Sequence, residues 1–203
     1  MKLYISATSP FARKVRVLLI EKQVPHEVEV VDLWSPNELQ QINPIGKVPA
    51  LVLDDGRAMA GSAFIADWVD GRYPRPRFIP ADDDGRLEAR RWESFADGVM
   101  DAVAASVYEM RFHDEASRSR SWLDRQRGKV DAGLAALERQ LGTRRWLCGE
   151  AMSVADIAIA CHLGFVRARA PQFFDAARLP GLARLSAGLD ERDSFRATAP
   201  PPL

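Results

Sequence analysis

The stretch from Thr8 to Arg16 combines a hydroxyl with a helix start in a way that suits anion binding. The apolar run Lys2–Ser6 before it predicts a strand, and the pattern over Phe11–Lys22 predicts a helix. Ser9 suits the cap of this helix, and Pro10 suits its first position, where no N–H is needed. A helix N-terminus offers free backbone donors and the positive end of the helix dipole. Ser9 is therefore either a helix cap alone or a cap whose hydroxyl also helps to hold an anion.

Two further stretches suit the ends of an extended peptide. Gly46-Lys47-Val48-Pro49 stands just before a predicted strand, and the Val48–Pro49 bond is either trans or cis. In the cis form, the N–H and C=O of Val48 can turn outward and pair with an extended peptide as an added strand. Gly61-Ser62, at another predicted helix start, suits a carboxylate, and Lys47 offers a charge for a second one. A small peptide with two carboxylates and a thiol fits all of these features.

The elements that must position these stretches alternate between strand and helix in the first third of the chain. The predicted strands are Lys2–Ser6, His26–Val31, Ala50–Leu53 and Arg57–Ala60, and the predicted helices are Phe11–Lys22, a short piece over Pro36–Gln41 opened by Ser35, and one capped by Ser62. The Asp55-Gly56 pair predicts a hairpin turn between the last two strands. This order predicts a small sheet with a parallel βαβ unit first and an antiparallel hairpin second.

Strand signals end at a connection rich in Pro, Gly and Asp, at about 75–85, and the rest of the chain predicts helices. The predicted helices run from Arg86 to about Phe112, from about Ser119 to Leu141, from Ser153 to before Pro171, and from Pro180 to Arg192. Ser153 and Asp156 predict a capping box at a helix that is apolar almost all round, which is typical of a central helix. Pro200–Pro202 predicts a disordered or extended tail.

Composition narrows the classes of partner. The 203 residues contain 28 Lys plus Arg and 28 Asp plus Glu, and this neutral balance argues against nucleic acid or an anionic membrane. No apolar run reaches the length of a membrane span, and no signal-peptide pattern opens the chain. Cys148 and Cys161 form no C-x-x-C pair, which favours a reducing cytoplasm. The three histidines show no metal-ligand spacing, so no metal is expected.

Four motifs together resemble the glutathione S-transferase family, and the resemblance covers nearly the whole chain. The motifs are Thr8-Ser9-Pro10-Phe11, Gly46-Lys47-Val48-Pro49, Gly61-Ser62 and Ser153-Val154-Ala155-Asp156. The chain looks most similar to bacterial members with serine or cysteine in the N-terminal motif. The resemblance implies a thioredoxin-like domain over 1–78 with a mixed four-stranded sheet, followed by an all-helical domain over 86–203. It also implies a cytoplasmic homodimer that acts in detoxification, with glutathione and a small electrophile as substrates.

The resemblance also implies roles for individual residues. Val48, before a cis Pro49, is expected to pair with the cysteinyl backbone of glutathione. Ser62 is expected to bind the γ-glutamyl carboxylate, and Ser9 to lie near the sulfur. The full set of residues expected at the glutathione site is Phe11, Trp34, Lys47, Val48, Pro49, Gly61 and Ser62.

Gly61 departs from the pattern of the family, which commonly has Glu, Gln or Asp at this position. The departure removes one side-chain contact to the γ-glutamyl end of glutathione. We expect weaker binding, or compensation by a side chain of the partner subunit. Asp97 and Asp101 on the long helix are candidates for this compensation, and a packed or solvated helix face is the alternative.

The chemistry that this site would perform is activation of a thiol. A free cysteine thiol has a pKa of about 8.5, and lowering it by about two units needs roughly 2.7 kcal/mol of preferential stabilisation of the thiolate. A hydroxyl donor at a helix N-terminus can supply this stabilisation. Ser9, with Thr8 as the adjacent alternative, is therefore expected to donate to the thiolate. Neither is expected to act as a nucleophile, because the motif contains no base.

The second substrate is expected at an apolar pocket. Candidates for its walls are Phe11, Tyr108, Met110 and Phe112, and ordinary helix packing is the alternative for each of them. Trp34 either walls the glutathione site or covers the sheet. Glutathione-dependent reduction, isomerisation or peroxide chemistry needs the same thiolate as conjugation. A non-catalytic binding or regulatory module on the same fold is a further alternative, and Gly61 motivates it.

Overall fold

The computed structural model describes residues 1–201 and confirms a mixed four-stranded sheet followed by helices. The strands are β1 (Lys2–Ile5), β2 (Glu27–Val30), β3 (Ala50–Val52) and β4 (Ala58–Ala60), in the spatial order β2-β1-β3-β4. β1 pairs in parallel with β2 and antiparallel with β3, and β3 pairs antiparallel with β4. The helices of this half are α1 (Pro10–Glu21), α2 (Leu39–Ile42) and α3 (Ser62–Arg72).

The second half of the described chain is helical. Its elements are α4 (Asp83–Phe112), α5 (Arg120–Leu141), α6 (Val154–Arg169), a 3₁₀ turn (Pro171–Phe173), α7 (Pro180–Asp190) and α8 (Asp193–Arg196). As its composition predicts, α6 is buried along most of its length, and α4 packs against both α5 and α6. None of the helices described is both long and apolar enough to cross a membrane.

Helix α1 joins the two halves because apolar residues occupy both of its sides. Val15 and Leu19 belong to the core that α1 forms with the sheet, whereas Val17 and Leu18 belong to the core of the helical half. A helix that is buried on two sides cannot shift toward one partner without losing contacts with the other. The position of Ser9, at the start of α1, therefore depends on both halves.

Asp156 carries the local network that begins α6. Its carboxylate accepts the N–H of Ser153 at 2.8 Å, the hydroxyl of Ser153 at 2.8 Å and the N–H of Leu147 at 2.7 Å. The bond to the Ser153 N–H confirms the half of the predicted capping box in which the acidic side chain reaches back. The bond to Leu147 lies outside that motif and ties the preceding loop to the helix.

The connection between the halves is held by a second buried acid. Asp70 of α3 accepts the N–H of Phe78 at 2.9 Å and lies 2.8 Å from the ammonium of Lys22. Lys22 also donates to the C=O of Tyr73 at 2.7 Å. These bonds satisfy backbone groups in a segment that has no ladder of its own.

Two predicted helix starts were wrong. Helix α4 begins at Asp83 rather than at Arg86, because the side chain of Asp82 accepts the N–H of Gly85 at 2.7 Å and caps the helix inside the predicted connection. Helix α2 begins at Leu39 rather than at Pro36, because Ser35 donates its hydroxyl to a nearby carboxylate instead of capping a helix.

Two further differences lie near the ends of helices. Ser62 was predicted as the cap of α3, but Gly61 occupies the cap and Ser62 is the first helical residue. Helix α7 ends at Asp190, before the predicted Arg192, and α8 was not predicted. Arg192 instead pairs with Glu21 of α1 at 2.6 Å, a contact between residues far apart in the chain. Of the predicted tail, Pro202 lies outside the described residues, and the division into 1–78 and 86–203 stays a prediction.

We expect Asp156→Ala to lower the free energy of unfolding by about 3 kcal/mol, because it leaves buried donors without partners, at about 1–3 kcal/mol each. The matched control is Asp82→Ala, which removes an exposed N-terminal cap and should cost about 1 kcal/mol. Urea denaturation of both variants measures the difference. Equal losses would show that the buried network adds nothing to ordinary capping.

Candidate active site

The predicted site stretches meet at one edge of the sheet. In the antiparallel pair of β1 and β3, Tyr4 stands opposite Ala50, so the end of β1 lies beside the start of β3. The N–H of Gly61 donates to the C=O of Pro49 at 3.3 Å, which places the start of α3 beside the same strand end. The turn that holds Ser9 leaves β1 at this edge. The structure thus brings the three stretches together from three parts of the sequence.

Ser9 caps α1, as its position before Pro10 predicts. Its backbone is extended, and its hydroxyl oxygen accepts the N–H of Ala12 at 3.2 Å. Because the oxygen is the acceptor in this bond, the hydroxyl proton of Ser9 is left to donate elsewhere. Thr8 is also half-buried, and its hydroxyl lies 3.5 Å from that of Ser6. Of the two hydroxyls, that of Ser9 is therefore better placed to donate to an anion, because it lies at the positive end of a twelve-residue helix.

The Val48–Pro49 peptide bond is cis. Pro49 is buried and Val48 is half-buried at the start of β3. Within residues 1–201, the main chain of Val48 makes no hydrogen bond. The loop before it is held by the side chain of Asn43, which donates to the C=O of Lys47 at 2.7 Å. The Val48 main chain is therefore available to pair with an extended peptide.

Gly61 has a backbone that other residues rarely adopt, with φ +90° and ψ 123°. A Cβ built on it would meet nothing within 4 Å, so conformation rather than space favours glycine here. The next residue, Ser62, is buried at the first position of α3, and no side chain caps this helix. The free N–H groups at the start of α3 are accordingly open to an anion.

Asp97 and Asp101 of α4, the two acids predicted to compensate for Gly61, have different surroundings. Asp97 accepts from the ammonium of Lys14 at 3.1 Å within the same chain. Asp101 is exposed, and its pKa is raised by partial burial and by the charge of Asp97, whereas Lys47 acts in the opposite direction. Asp101 and Lys47 are therefore close enough for their charges to interact.

An aromatic patch, which we define as Trp34, Tyr108 and Phe112, joins the two halves of the chain. The rings of Trp34 and Phe112 are 4.6 Å apart between centroids, and those of Trp34 and Tyr108 are 5.8 Å apart. The three side chains are 54%, 47% and 50% exposed, respectively. β2 ends beside the end of β1, with Val30 opposite Ile5, so the segment with Trp34 leaves the same sheet edge as Ser9.

Phe11, which was also predicted for the electrophile pocket, packs on the helical half rather than on the rings of the patch, and Met110 lies between Tyr108 and Phe112 in α4. Phe11 stacks edge-on against His162, with ring centroids 5.3 Å apart, and packs on the core of the helical half. Met110 is half-buried, and its C=O accepts from Arg118 at 2.9 Å. Trp34, predicted for the glutathione site or the sheet, lies beside Tyr108 and Phe112.

A buried cluster of charged side chains between α1 and α4 was not predicted from the sequence. Lys14 of α1 is fully buried, with its ammonium 2.6 Å from Glu93 and 3.1 Å from Asp97. Arg90 pairs with the other oxygen of Glu93. The spacing of Glu93 and Asp97 by four residues on one helix was the available signal, together with a lysine inside the apolar pattern of α1.

The two cysteines and His162 are held neutral near pH 7. Burial raises the pKa of the Cys148 thiol to about 11 and that of Cys161 to about 12. Burial, reinforced by the charge of Lys14, lowers the pKa of His162 to about 3. Neither cysteine is therefore a ready nucleophile near pH 7, since the thiolate is the reactive form. In residues 1–201, no three His, Cys, Asp or Glu side chains are grouped so that they could hold a metal ion.

Comparisons with known proteins match both halves of the chain. The sequence profile of the glutathione S-transferase N-terminal domain matches residues 8–72, and that of the C-terminal domain matches residues 120–187. The uncharacterized GST-like protein YibF of Escherichia coli is 37% identical over 204 residues, with 99% of each chain covered.

Two crystal structures are similar over nearly the whole chain. A glutathione S-transferase of Methylobacterium radiotolerans, in complex with glutathione sulfonate, is 41% identical with a TM-score of 0.93, covering 98% of this chain and 94% of that one. A glutathione S-transferase of Methylobacillus flagellatus, with glutathione bound, is 40% identical with a TM-score of 0.94, covering 98% and 99%. The chain therefore belongs to the glutathione S-transferase family.

Proposed function

We propose that this glutathione transferase conjugates the glutathione thiol to small aromatic electrophiles. The observation that carries the proposal is the convergence of the Ser9 turn, the Val48 main chain and the start of α3 at one sheet edge. The aromatic patch leaves the same edge and supplies an apolar surface for the second substrate.

Glutathione fits the site as an extended peptide. Its cysteinyl backbone pairs with the N–H and C=O of Val48, which have no partner within the described chain. The γ-glutamyl carboxylate takes the hydroxyl of Ser62 and the free N–H groups of α3, and Lys47 attracts the second carboxylate. This arrangement directs the cysteinyl sulfur toward the Ser9 turn.

Ser9 then stabilises the thiolate by donating its hydroxyl proton as a hydrogen bond. The bond and the positive end of α1 favour the charged form of sulfur, so the pKa of the bound thiol falls. The thiolate attacks an electrophilic carbon, a carbon–sulfur bond forms, and the leaving group departs with its electron pair. Ser9 keeps its proton throughout and is not a nucleophile.

Isomerisation is the second candidate reaction, because it uses the same thiolate. The maleylacetoacetate isomerase of Pseudomonas aeruginosa is 28% identical over 180 residues, covering 80% of each chain. A non-catalytic module is the third candidate: the FtsZ-localized protein A of Caulobacter vibrioides, whose name gives a location and no reaction, is 30% identical over 166 residues. Calorimetry with glutathione separates the module from both enzymes, because no binding at millimolar ligand would favour the module.

We expect Ser9→Ala to raise the pKa of bound glutathione by about one to two units, because it removes a charge-assisted hydrogen bond of about 1.5–3 kcal/mol. At neutral pH, kcat/KM should fall roughly tenfold or more, and the loss should shrink as pH rises toward the pKa of free glutathione. Ultraviolet absorbance of the thiolate against pH measures the first effect.

Ser9→Thr is the matched control, since it keeps a hydroxyl at the cap and should retain the low thiol pKa. Thr8→Ala tests the neighbouring hydroxyl, which should matter less. An unchanged thiolate titration in both Ser9→Ala and Thr8→Ala would remove the hydroxyl from the mechanism.

We expect Gly61→Ala to lower the free energy of unfolding by about 1–2 kcal/mol, because φ +90° is strained for any residue with a Cβ. Gly128→Ala is the matched control: the residue lies inside α5, has open space around it, and its replacement should stabilise the fold by about 0.5–1 kcal/mol.

Gly61→Gln places a polar side chain at the γ-glutamyl end of the site and should strengthen glutathione binding in calorimetry. If Gly61→Gln binds glutathione no more tightly than Gly61→Ala, which has the same backbone strain without the polar group, the site does not use this contact.

We propose that the protein is a cytoplasmic homodimer that acts in detoxification. Exposed apolar side chains on α3 and α4 support the dimer: Phe64 is 60% and Leu87 65% exposed, and Phe95 adds to them. Exposed apolar groups of this kind mark interaction surfaces. Asp101 or Asp97 of the partner subunit can then supply the contact that Gly61 lacks.

We expect Phe64→Glu to convert a dimer into a chain of 22.6 kDa in light scattering, because it buries an unpaired charge at the interface. Trp122→Glu, at an exposed aromatic on α5, is the control and should stay dimeric. A wild-type mass of one chain at micromolar concentration would contradict the dimer.

A further inference from the structure

Arg111 is placed to read the second substrate, and no group of the described chain uses its hydrogen-bond donors. Its guanidinium lies 5.1 Å from the ring centre of Trp34 and 5.3 Å from that of Phe112, so it stacks on the aromatic patch. In residues 1–201, it makes no hydrogen bond and no ion pair. A stacked guanidinium with free N–H groups presents a planar fork that matches a carboxylate.

Arg111 is not needed to satisfy the end of α4. Arg118 donates to the C=O of Met110 at 2.9 Å and to that of His113 at 3.0 Å, so it already takes up carbonyls of the last turn. Arg111, the basic residue in the last turn of α4, therefore has N–H donors available for a ligand.

The acidic groups nearby are committed to other donors. Asp32 accepts the N–H of Trp34 at 2.9 Å and the hydroxyl of Ser35 at 2.5 Å. These two bonds lower its pKa most, and the charge of Arg111 adds a smaller effect. Glu109 pairs with His113 at 3.2 Å and accepts the N–H of Ser119 at 2.9 Å. Neither carboxylate hydrogen-bonds to Arg111.

From this arrangement we infer that the preferred electrophile is an aromatic ring that carries a carboxylate. The patch stacks on the ring, and Arg111 pairs with the carboxylate. The inference rests on the proposed function, since the ring must reach the thiolate held at Ser9. In the reaction with an activated aryl chloride, the sulfur–carbon bond forms, the carbon–chlorine bond breaks, and chloride leaves with the electron pair.

The test uses two electrophiles that differ in one group. 2-Chloro-1,3-dinitrobenzene and 4-chloro-3,5-dinitrobenzoate share the leaving group and the two nitro groups that flank it, and only the second has a carboxylate. We expect wild-type kcat/KM to favour the benzoate beyond the ratio of the uncatalysed rates. Arg111→Gln should lower kcat/KM for the benzoate roughly tenfold or more, and change that for the neutral compound less than about threefold.

Arg145→Gln is the matched control. Arg145 is another exposed arginine stacked on a tryptophan, with its guanidinium 5.0 Å from the ring centre of Trp146, and it lies in the loop before α6. It should leave both electrophiles unchanged. Equal losses for the two electrophiles in Arg111→Gln, or no wild-type preference for the benzoate, would overturn the inference while leaving the proposed function intact.

If neither compound is turned over, that result counts against conjugation itself. A binding measurement then still tests the inference. The two preformed glutathione conjugates of these electrophiles are titrated into wild type and Arg111→Gln by calorimetry. The carboxylated conjugate should bind wild type roughly tenfold more tightly, and Arg111→Gln should abolish this difference. Equal affinity of the two conjugates for wild type, or no binding of either, would overturn the inference.

Discussion

The buried ammonium of Lys14 is the interaction on which the arrangement of the site depends. It extends from α1, the helix that Ser9 caps, to Glu93 and Asp97 of α4, the helix that carries Tyr108 and Phe112. Removing one partner from a buried ion pair leaves an uncompensated charge and costs about 3–5 kcal/mol. Because the ammonium is fully buried, it restricts how far α1 and α4 can move apart. Ser9, at the start of α1, and the aromatic patch are thereby held in one geometry.

Helix α4 changes character along its length. Positions 93, 97, 101, 104, 108 and 112 fall along one side of an α-helix, since they recur at three or four residues. This side starts with a buried acid at Glu93, passes a half-buried one at Asp97 and an exposed one at Asp101, and ends with exposed aromatic rings. One continuous helix thus carries both the acids that contact Lys14 of α1 and two rings of the aromatic patch.

The sequence predicted best those features that depend on neighbours in the chain. The Ser9 hydroxyl accepts the N–H of Ala12, and Asp156 accepts the N–H of Ser153. Each of these contacts spans three residues, so residue type and spacing are enough to infer it. The predicted starts of α2 and α4 were wrong because several side chains that can cap a helix lie within a few residues of one another there. Asp82, for example, caps α4 ahead of the predicted start at Arg86. The pairing of Arg192 with Glu21 joins residues that no local pattern connects.

By itself, the sequence determined the order of strands and helices, the hydroxyl at the start of α1 and the family that these motifs resemble, because hydrogen bonding and apolar periodicity act over a few residues. Only the tertiary structure located the surface that we propose for the second substrate. There Trp34 lies against Tyr108 and Phe112, Arg111 stacks on the rings of Trp34 and Phe112, and Phe11 packs on the helical core instead. The reason is physical: Trp34 and Phe112 meet only when the sheet and α4 pack together, and that contact depends on the shape and charge of the whole interface.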